Sequence, residues 1–363
     1  MSLRQISCIA ILIFGQAFTV QVICQETDYK SRCDSIQKNI LLGFRSPDPD
    51  LFIESTDTSR DKNPYSYLWP VCALMQAENE LEALGRDDCL APVLRTISHY
   101  YDPSQPAPGY QAYVSSAGKD TRYYDDNQWI GIAAADAYAR TGEKSYQELA
   151  KTICNFMMTG YDTISGGGIY WREGDFTTKN TCSNGPGIIL ALRLYQFTHK
   201  KEYLENAKKI YNWTNKYLRS PGGIYYDALK VKTMKIDSAT YTYNTGTMLQ
   251  SNVLFYLLTT DRKYLEEAEL IALSAEKHFY KNGKLPNNYW FNAVMLRGFA
   301  ELSKADGNYE RLKFFADDAE RIWATQKDVN GLVGRRSRKT LIDQAAMLEI
   351  FARLGKLSLE GKL

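Results

Sequence analysis

Histidine is scarce, with three in 363 residues, and no His/Cys/Asp/Glu spacing of the metal-ligand kind occurs anywhere. Neither sign of charge prevails: 44 Lys and Arg against 42 Asp and Glu leave a net +2, which removes the usual reason to expect a nucleic-acid partner. No glycine-rich phosphate loop is present, so no organic cofactor and no metal are expected. After residue 24 no apolar run is long enough to cross a bilayer. Cys33, Cys72, Cys89, Cys154 and Cys182 follow that point; from their odd number and irregular spacing neither a disulfide framework nor a zinc site follows. They read as mostly buried thiols, with room for one disulfide.

The first 24 residues differ from the rest. Arg4 supplies a short positive start, Ile6 to Phe14 are almost wholly apolar, and the stretch ends at Val22-Ile23-Cys24 before polar Gln25. Residues 1–24 therefore read as a cleaved signal peptide, and the mature chain as exported: periplasmic, cell-surface or secreted. A lipoprotein anchor at Cys24 is the alternative, disfavoured because Ile23 is a poor small residue before it. Residues 25–363 remain, long enough for a large core in one or two domains, and read as a single domain, expected to be a monomer.

A phrase recurs along this stretch. Thr141-Gly142-Glu143-Lys144-Ser145-Tyr146, Thr198-His199-Lys200-Lys201-Glu202-Tyr203 and Thr260-Asp261-Arg262-Lys263-Tyr264 each lead into a similar helix start, and Ala305-Asp306-Gly307-Asn308-Tyr309 is a weaker fourth copy. Before each phrase lies a segment apolar on nearly all sides, the mark of a buried helix. After it lies an amphipathic one, with Leu204, Ala207, Ile210 and Tyr211 on one face and Glu205, Lys208 and Lys209 off it. The pattern predicts inner helices near 67–84, 125–141, 184–199, 243–260, 288–304 and 340–354. Outer helices are predicted near 28–43, 88–101, 145–159, 201–219, 263–280 and 308–327. Six inside six is an all-α (α/α)6 barrel; a tetratricopeptide solenoid would show a period of about 34 residues and uniformly short loops. Here the outer-to-inner connections at 101–124, 160–183 and 220–242 are long and rich in Gly, Tyr, Asn and Asp, which suits a functional face.

On that face stands Tyr123-Tyr124-Asp125-Asp126-Asn127-Gln128-Trp129, at the entrance of the second inner helix. One aspartate there has a structural use, capping the first turn. A second, beside Tyr124 and Trp129, suggests sugar chemistry, which uses two carboxyls and an aromatic surface.

This string resembles the Asp-Asp signature of glycoside hydrolase family 76, the α-1,6-mannanases. Lys179-Asn180-Thr181-Cys182-Ser183-Asn184-Gly185-Pro186 resembles another of its stretches, running into Leu190 to Tyr195, and Tyr243-Asn244-Thr245-Gly246-Thr247 a third. Cys182, Gly187 and the short 281–287 loop depart from that pattern and bear on the subsites. The resemblance implies an (α/α)6 enzyme that cleaves α-1,6-mannosidic bonds with retention, with α-mannan or manno-oligosaccharides as substrate. By the same analogy Asp125 is the nucleophile and Asp126 the acid/base. The family also includes fungal wall proteins thought to transfer glycan, so a transglycosidase is one alternative and a non-catalytic glycan-binding protein another.

The spacing suits the implied chemistry. Neighbouring residues on a first helical turn point about 100° apart, compatible with the ~5–5.5 Å carboxyl separation of a retaining pair. The helix N-terminus favours carboxylate at both positions, whereas the charge of Asp125 raises the pKa of Asp126. Candidate substrate contacts are Trp69, Tyr124 and Trp129 at helix entrances, Trp171 and Arg172 after a Gly166-Gly167-Gly168 hinge, and Lys179, Asn180, Asn184, Tyr243 and Asn244. For Trp129 a core position competes with sugar stacking, and for the asparagines helix capping does. The basic run Arg335-Arg336-Ser337-Arg338-Lys339 reads as a solvated loop rather than a phosphomannan contact. An epimerase on the same barrel would rely on paired histidines, yet His99, His199 and His278 fall on outer helices or short connections. A lyase would need a tyrosine set apart beside a neutralising partner, and none stands out.

Overall fold

The computed structural model describes residues 29–363, and α-helices account for most of them. They are α1 (29–43), α2 (Leu68–Ala83), α3 (Leu90–Ser98), α4 (Tyr124–Thr141), α5 (Lys144–Met158), α6 (Thr181–Thr198), α7 (Lys201–Leu218), α8 (Thr242–Thr259), α9 (Arg262–Phe279), α10 (Tyr289–Asp306), α11 (Lys313–Gln326) and α12 (Leu341–Leu359). The even-numbered helices pack in sequence, α2 on α4 on α6 on α8 on α10 on α12, and α12 returns to α2. The ring is closed, and odd-numbered helices lie outside it, α3 on α2, α5 on α4, α7 on α6, α9 on α8 and α11 on α12. This is the expected (α/α)6 barrel. The signal-peptide and Cys24 readings lie outside the described residues. No helix among the described residues is long and apolar enough to cross a membrane. All five described cysteines are free thiols, so the one disulfide allowed from sequence is not formed.

The recurring phrase is the reversal between an inner helix and its outer partner. Each ends in a residue with left-handed backbone, Gly142, His199, Thr260 or Gly307, whose N–H donates to the carbonyl four residues back. The threonine before it, Thr141, Thr198 or Thr259, donates its hydroxyl to the Ala137, Leu194 or Phe255 carbonyl and accepts from the N–H two residues on. The third copy therefore aligns on Thr259, one residue before the Thr260 on which the sequence suggests it begins. Thr260 sits at φ 57°, a costly setting for a β-branched residue. Thr260→Gly is expected to stabilise the protein by about 1 kcal/mol, read as a rise in urea midpoint at unchanged slope. An unchanged or lower midpoint would mean the backbone relaxes there at no cost.

Glycines set how closely three inner helices approach. A Cβ on Gly246 would lie 2.5 Å from Met295 Cα, one on Gly298 2.7 Å from the Gly246 carbonyl oxygen, and one on Gly185 2.2 Å from Thr247 Oγ1. Lower in the ring, polar side chains from all six inner helices interlock. Arg297 donates to both carboxylate oxygens of Glu349 at 2.6 and 2.8 Å. Arg353 joins Glu349 at 2.9 Å to Glu80 at 2.8 Å. Gln76 donates to Glu80 and Asp136, Arg193 pairs with Glu301 and lies 3.5 Å from Asp136, and Gln250 donates to Glu301. The barrel axis is thereby filled by a charged belt.

Several features depart from the sequence reading: α11 begins at Lys313, five residues after its predicted start, and α12 runs to Leu359, five past its predicted end. Helix α6 begins at Thr181, three residues before the predicted start, because Pro186 forgoes only one helical hydrogen bond and Thr181 is anchored to the Tyr226 carbonyl at 2.6 Å. The long loops also carry strands: β1 (Tyr101–Asp102) pairs with β2 (Gly109–Tyr110), and β3 (Thr178–Asn180), β4 (Tyr226–Lys230) and β5 (Lys235–Thr240) form an antiparallel sheet.

Candidate active site

Tyr123 enters α4 with extended backbone and no side-chain cap, so neither aspartate serves as the N-cap; both stand inside the first turn. The entrance is fixed from both sides. Tyr124 N–H donates to the Trp171 carbonyl at 3.1 Å, and buried Arg122 pairs with Glu173 while donating to the Ser104 and Ala107 carbonyls. Asn127, with no exposed surface, accepts from Tyr110 N–H at 2.7 Å and donates to the Tyr110 and Tyr123 carbonyls.

That device recurs at the fourth residue of other inner helices. Asn184 of α6 accepts from Ile169 N–H and donates to the Ile169 and Asn180 carbonyls. Gln344 of α12 does the same with Val333 and Thr340, and Thr245 of α8 accepts from Tyr225 N–H. Each clamps the incoming loop flat against the barrel mouth.

Between these loops opens a cleft of about 980 Å³. Asp125 and Asp126 line it, with Trp69, Trp129, Trp171, Asn180 and Tyr243 from the sequence-based candidates. Five candidates are not among its lining residues. Asn184 is fully buried with its amide consumed by loop backbone, and Lys179 is fully buried. Lys179 Nζ binds Asp162 and donates to the Ile164 and Gly167 carbonyls, so the glycine run is a clamped turn rather than a hinge. Tyr124 packs on Phe156 and bonds Thr159, Arg172 turns to Asp175, and buried Asn244 sits behind the wall, donating to Asp227 at 3.4 Å. The basic run is also outside the cleft: Arg335 and Arg336 face solvent, Arg338 pairs with Asp61, and Lys339 is buried on the Gly334 carbonyl.

Sequence reasoning did not single out Asp227, Trp290, Phe291, Tyr241, Glu54, Asp120, Asp237 or Lys230, all of which line the cleft. Trp290 joins the floor by edge-to-face contacts with Trp129 at 5.0 Å and Trp69 at 5.6 Å, and Arg297 of the belt lies under Trp129 at 5.4 Å. Tyr243 stacks on Phe291 at 3.9 Å. Trp290 is the second residue of α10, two after its Asn288 cap, a signal that the sequence does carry. Asp227 could not be oriented before β4 was known to be a strand.

The two aspartates differ in surroundings. Burial pushes Asp125 up to about 6, while the Cys182 thiol, the backbone N–H groups of Asp125 and Asp126, and the Trp171 indole pull it back. Burial and then the charge of Asp125 push Asp126 well above the carboxylate range, with no hydrogen bond opposing. Asp227 is also raised, chiefly by burial. Two buried acceptors of the cleft lining, Asp125 Oδ1 and Asn180 Oδ1, have no protein partner. Such an acceptor-rich cleft with indole walls suits a ligand presenting hydroxyl donors. No group of three or more His, Cys, Asp or Glu that could hold a metal exists among the described residues.

The family model of glycosyl hydrolase family 76 matches residues 28–352. Mannan endo-1,6-alpha-mannosidase DCW1 of Saccharomyces cerevisiae is 29% identical over 199 residues, 47% of this chain and 44% of that one. The chain spans less than half the length of the curated relatives it matches. Among solved structures, the GH76 α-mannanase of Bacteroides thetaiotaomicron superposes with a TM-score of 0.84 at 25% identity, covering 92% of this chain and 96% of that one. An inactive variant of the α-1,6-mannanase of a Salegentibacter species, altered at two consecutive aspartates and in complex with α-1,6-mannotriose, superposes with a TM-score of 0.77 at 23% identity, over 91% of this chain and 99% of that one.

Proposed function

The chain belongs to glycosyl hydrolase family 76, and from that premise we propose that it is an exported glycoside hydrolase that cleaves α-1,6-mannosidic bonds within an α-mannan backbone. The observation that carries the reading is the pair of consecutive carboxyls, set in unlike environments on the floor of an indole-walled cleft. A hydrolase of this kind needs one carboxylate to attack the anomeric carbon and one carboxylic acid to protonate the leaving oxygen. Asp125, supported by donors, is the ionised nucleophile; Asp126, without them, keeps its proton as the general acid. Once the glycosyl ester forms, the charge of Asp125 is gone. The pKa of Asp126 then falls, and it takes a proton from the incoming water.

The mannan relatives and the inactive twin-aspartate variant bound to mannotriose support both the substrate and the pair. Asn180 and Asp227 bring acceptor oxygens to the cleft lining, and Trp69 and Trp171 bring apolar surface on which ring faces could stack. Transfer to another glycan in place of water would use the same ester.

Incubation with unbranched α-1,6-mannan, with products followed by size and by NMR of the anomeric proton, tests the reading. Short oligosaccharides with the α configuration formed first are expected. Binding without products would favour a glycan receptor, and an initial β product would remove the covalent step.

A further inference from the structure

We propose that Lys230 and Lys235, opposed across the β4–β5 hairpin at one end of the cleft, bind a phosphate group carried by the glycan and so set which linkage lies over the aspartate pair. The inference rests on the glycosidase reading above for the glycan, though not for the anion site. In the small sheet Lys230 pairs with Lys235, Leu229 with Ile236 and Ala228 with Asp237. On the other side of β4, Thr178 of β3 pairs with Lys230 and Asn180 with Ala228.

Side chains alternate between the faces of a sheet, and the two faces here have different neighbours. Thr178, Asn180, Ala228, Lys230 and Asp237 all line the cleft. Leu229, out of step with that set, is fully buried in a cluster with Trp213 and Leu218. Lys235, opposite Lys230 and two residues from Asp237, therefore stands on the cleft side as well. Two residues of strand, about 7 Å, carry the lysines from the level of Ala228 and Asn180 toward the turn.

Like charges directly opposite in an antiparallel pair are destabilising. Both lysines are exposed, and no ion pair among the described residues includes either, unlike nearby Lys179 or Arg172. Asp237, on the same face, accepts from the Ala239 N–H at 3.1 Å instead. The other charged residues of the lining are all carboxylic acids, Glu54, Asp120, Asp125, Asp126, Asp227 and Asp237, so Lys230 is its one cation among the described residues. An anionic group is thus repelled along most of the cleft and attracted at the hairpin end alone. A phosphate there accepts from both ammonium groups and removes their mutual repulsion. Because the pair faces the cleft, a phosphate on a bound glycan fits it better than a lipid headgroup does. The glycan is then held at a fixed distance from Asp125 and Asp126.

The test measures binding by calorimetry at low salt, in an Asp125→Asn background that prevents turnover. The probes are α-1,6-mannotetraose, its 6-phosphate at the non-reducing end and its 1-phosphate at the reducing end. One phosphorylated form is expected to bind about tenfold tighter than the neutral one, the scale of a hydrogen bond to a charged group. That ratio should shrink at high salt and fall to about one in Lys230→Gln/Lys235→Gln. No gain for either phosphorylated form, or a gain that survives in the double variant, overturns the inference. Vesicles of phosphatidylserine and phosphatidylcholine that hold the parent but not the double variant, with no gain for either oligosaccharide, would make a membrane the ligand and overturn it too. Titration with inorganic phosphate, followed by NMR of the hairpin backbone amides, needs no glycan. If the parent neither binds nor cleaves neutral mannan, the glycosidase reading fails, and those shifts still decide the anion site. Present in the parent and lost in the double variant they uphold it; absent, they overturn it.

Discussion

Asp125→Asn is expected to lower kcat on α-1,6-mannan by about five orders of magnitude, the scale on which removal of a covalent nucleophile acts. Asp126→Asn is expected to cost less, about two to four orders, because it removes proton transfer rather than the bond-forming group. The two separate by leaving group: an aryl mannoside that needs no protonation should recover most of its first-step rate in Asp126→Asn and none in Asp125→Asn. Equal recovery in both would reverse or dissolve the assigned roles. Stability should move the opposite way. Both carboxyls have folded pKa values above their unfolded ones, so the folded state binds more protons and loses stability as pH rises through those values. Removing either carboxyl should therefore raise the melting temperature at pH 8, with the gain shrinking as pH falls toward 4. A variant that is inactive yet no more stable at pH 8 would indicate that the pair is less desolvated than its place on the cleft floor implies.

Glu349→Ala is expected to destabilise the fold by about 3–5 kcal/mol, more than any single change at the mouth. Glu349 is fully buried, and although burial raises its pKa, Arg297 and Arg353 outweigh that and hold the carboxyl below its usual range. Its removal strands the Arg297 guanidinium, which is nearly as buried and has no other carboxylate at ion-pair distance among the described residues. The control is Glu349→Leu combined with Arg297→Met, which removes both charges together and should recover most of the loss. Urea unfolding of the three variants decides it. A double variant no better than Glu349→Ala would place the cost in packing rather than in an uncompensated charge.

The fold was legible because its periodicity is strong. All-round apolar segments alternate with amphipathic ones, and the Thr141, Thr198 and Thr259 phrases mark each reversal by a left-handed cap that only a few residue types tolerate. The carboxylate pair could be found because adjacent acids at a helix entrance have little structural use. What stayed hidden was the direction of side chains in the loops. Asn184 and Lys179 look like ligand groups in one dimension, yet both are spent holding backbone that only the fold brings near. Asp227 looks like a loop acid, and its facing depends on the register of β4 against β3 and β5. The clamp could have been recovered from sequence, since Asn127, Asn184 and Gln344 stand at the same place, one helical turn after three of the inner-helix entrances.

Charged belt and cleft lie at different depths of one ring, with Asp136 about 15 Å below the aspartate pair along α4. Lengthening the β4–β5 hairpin, or exchanging Lys230 or Asp237 at its rim, leaves every pairing of the belt untouched. The rim can thus be rewritten residue by residue while the deep ring keeps the barrel closed.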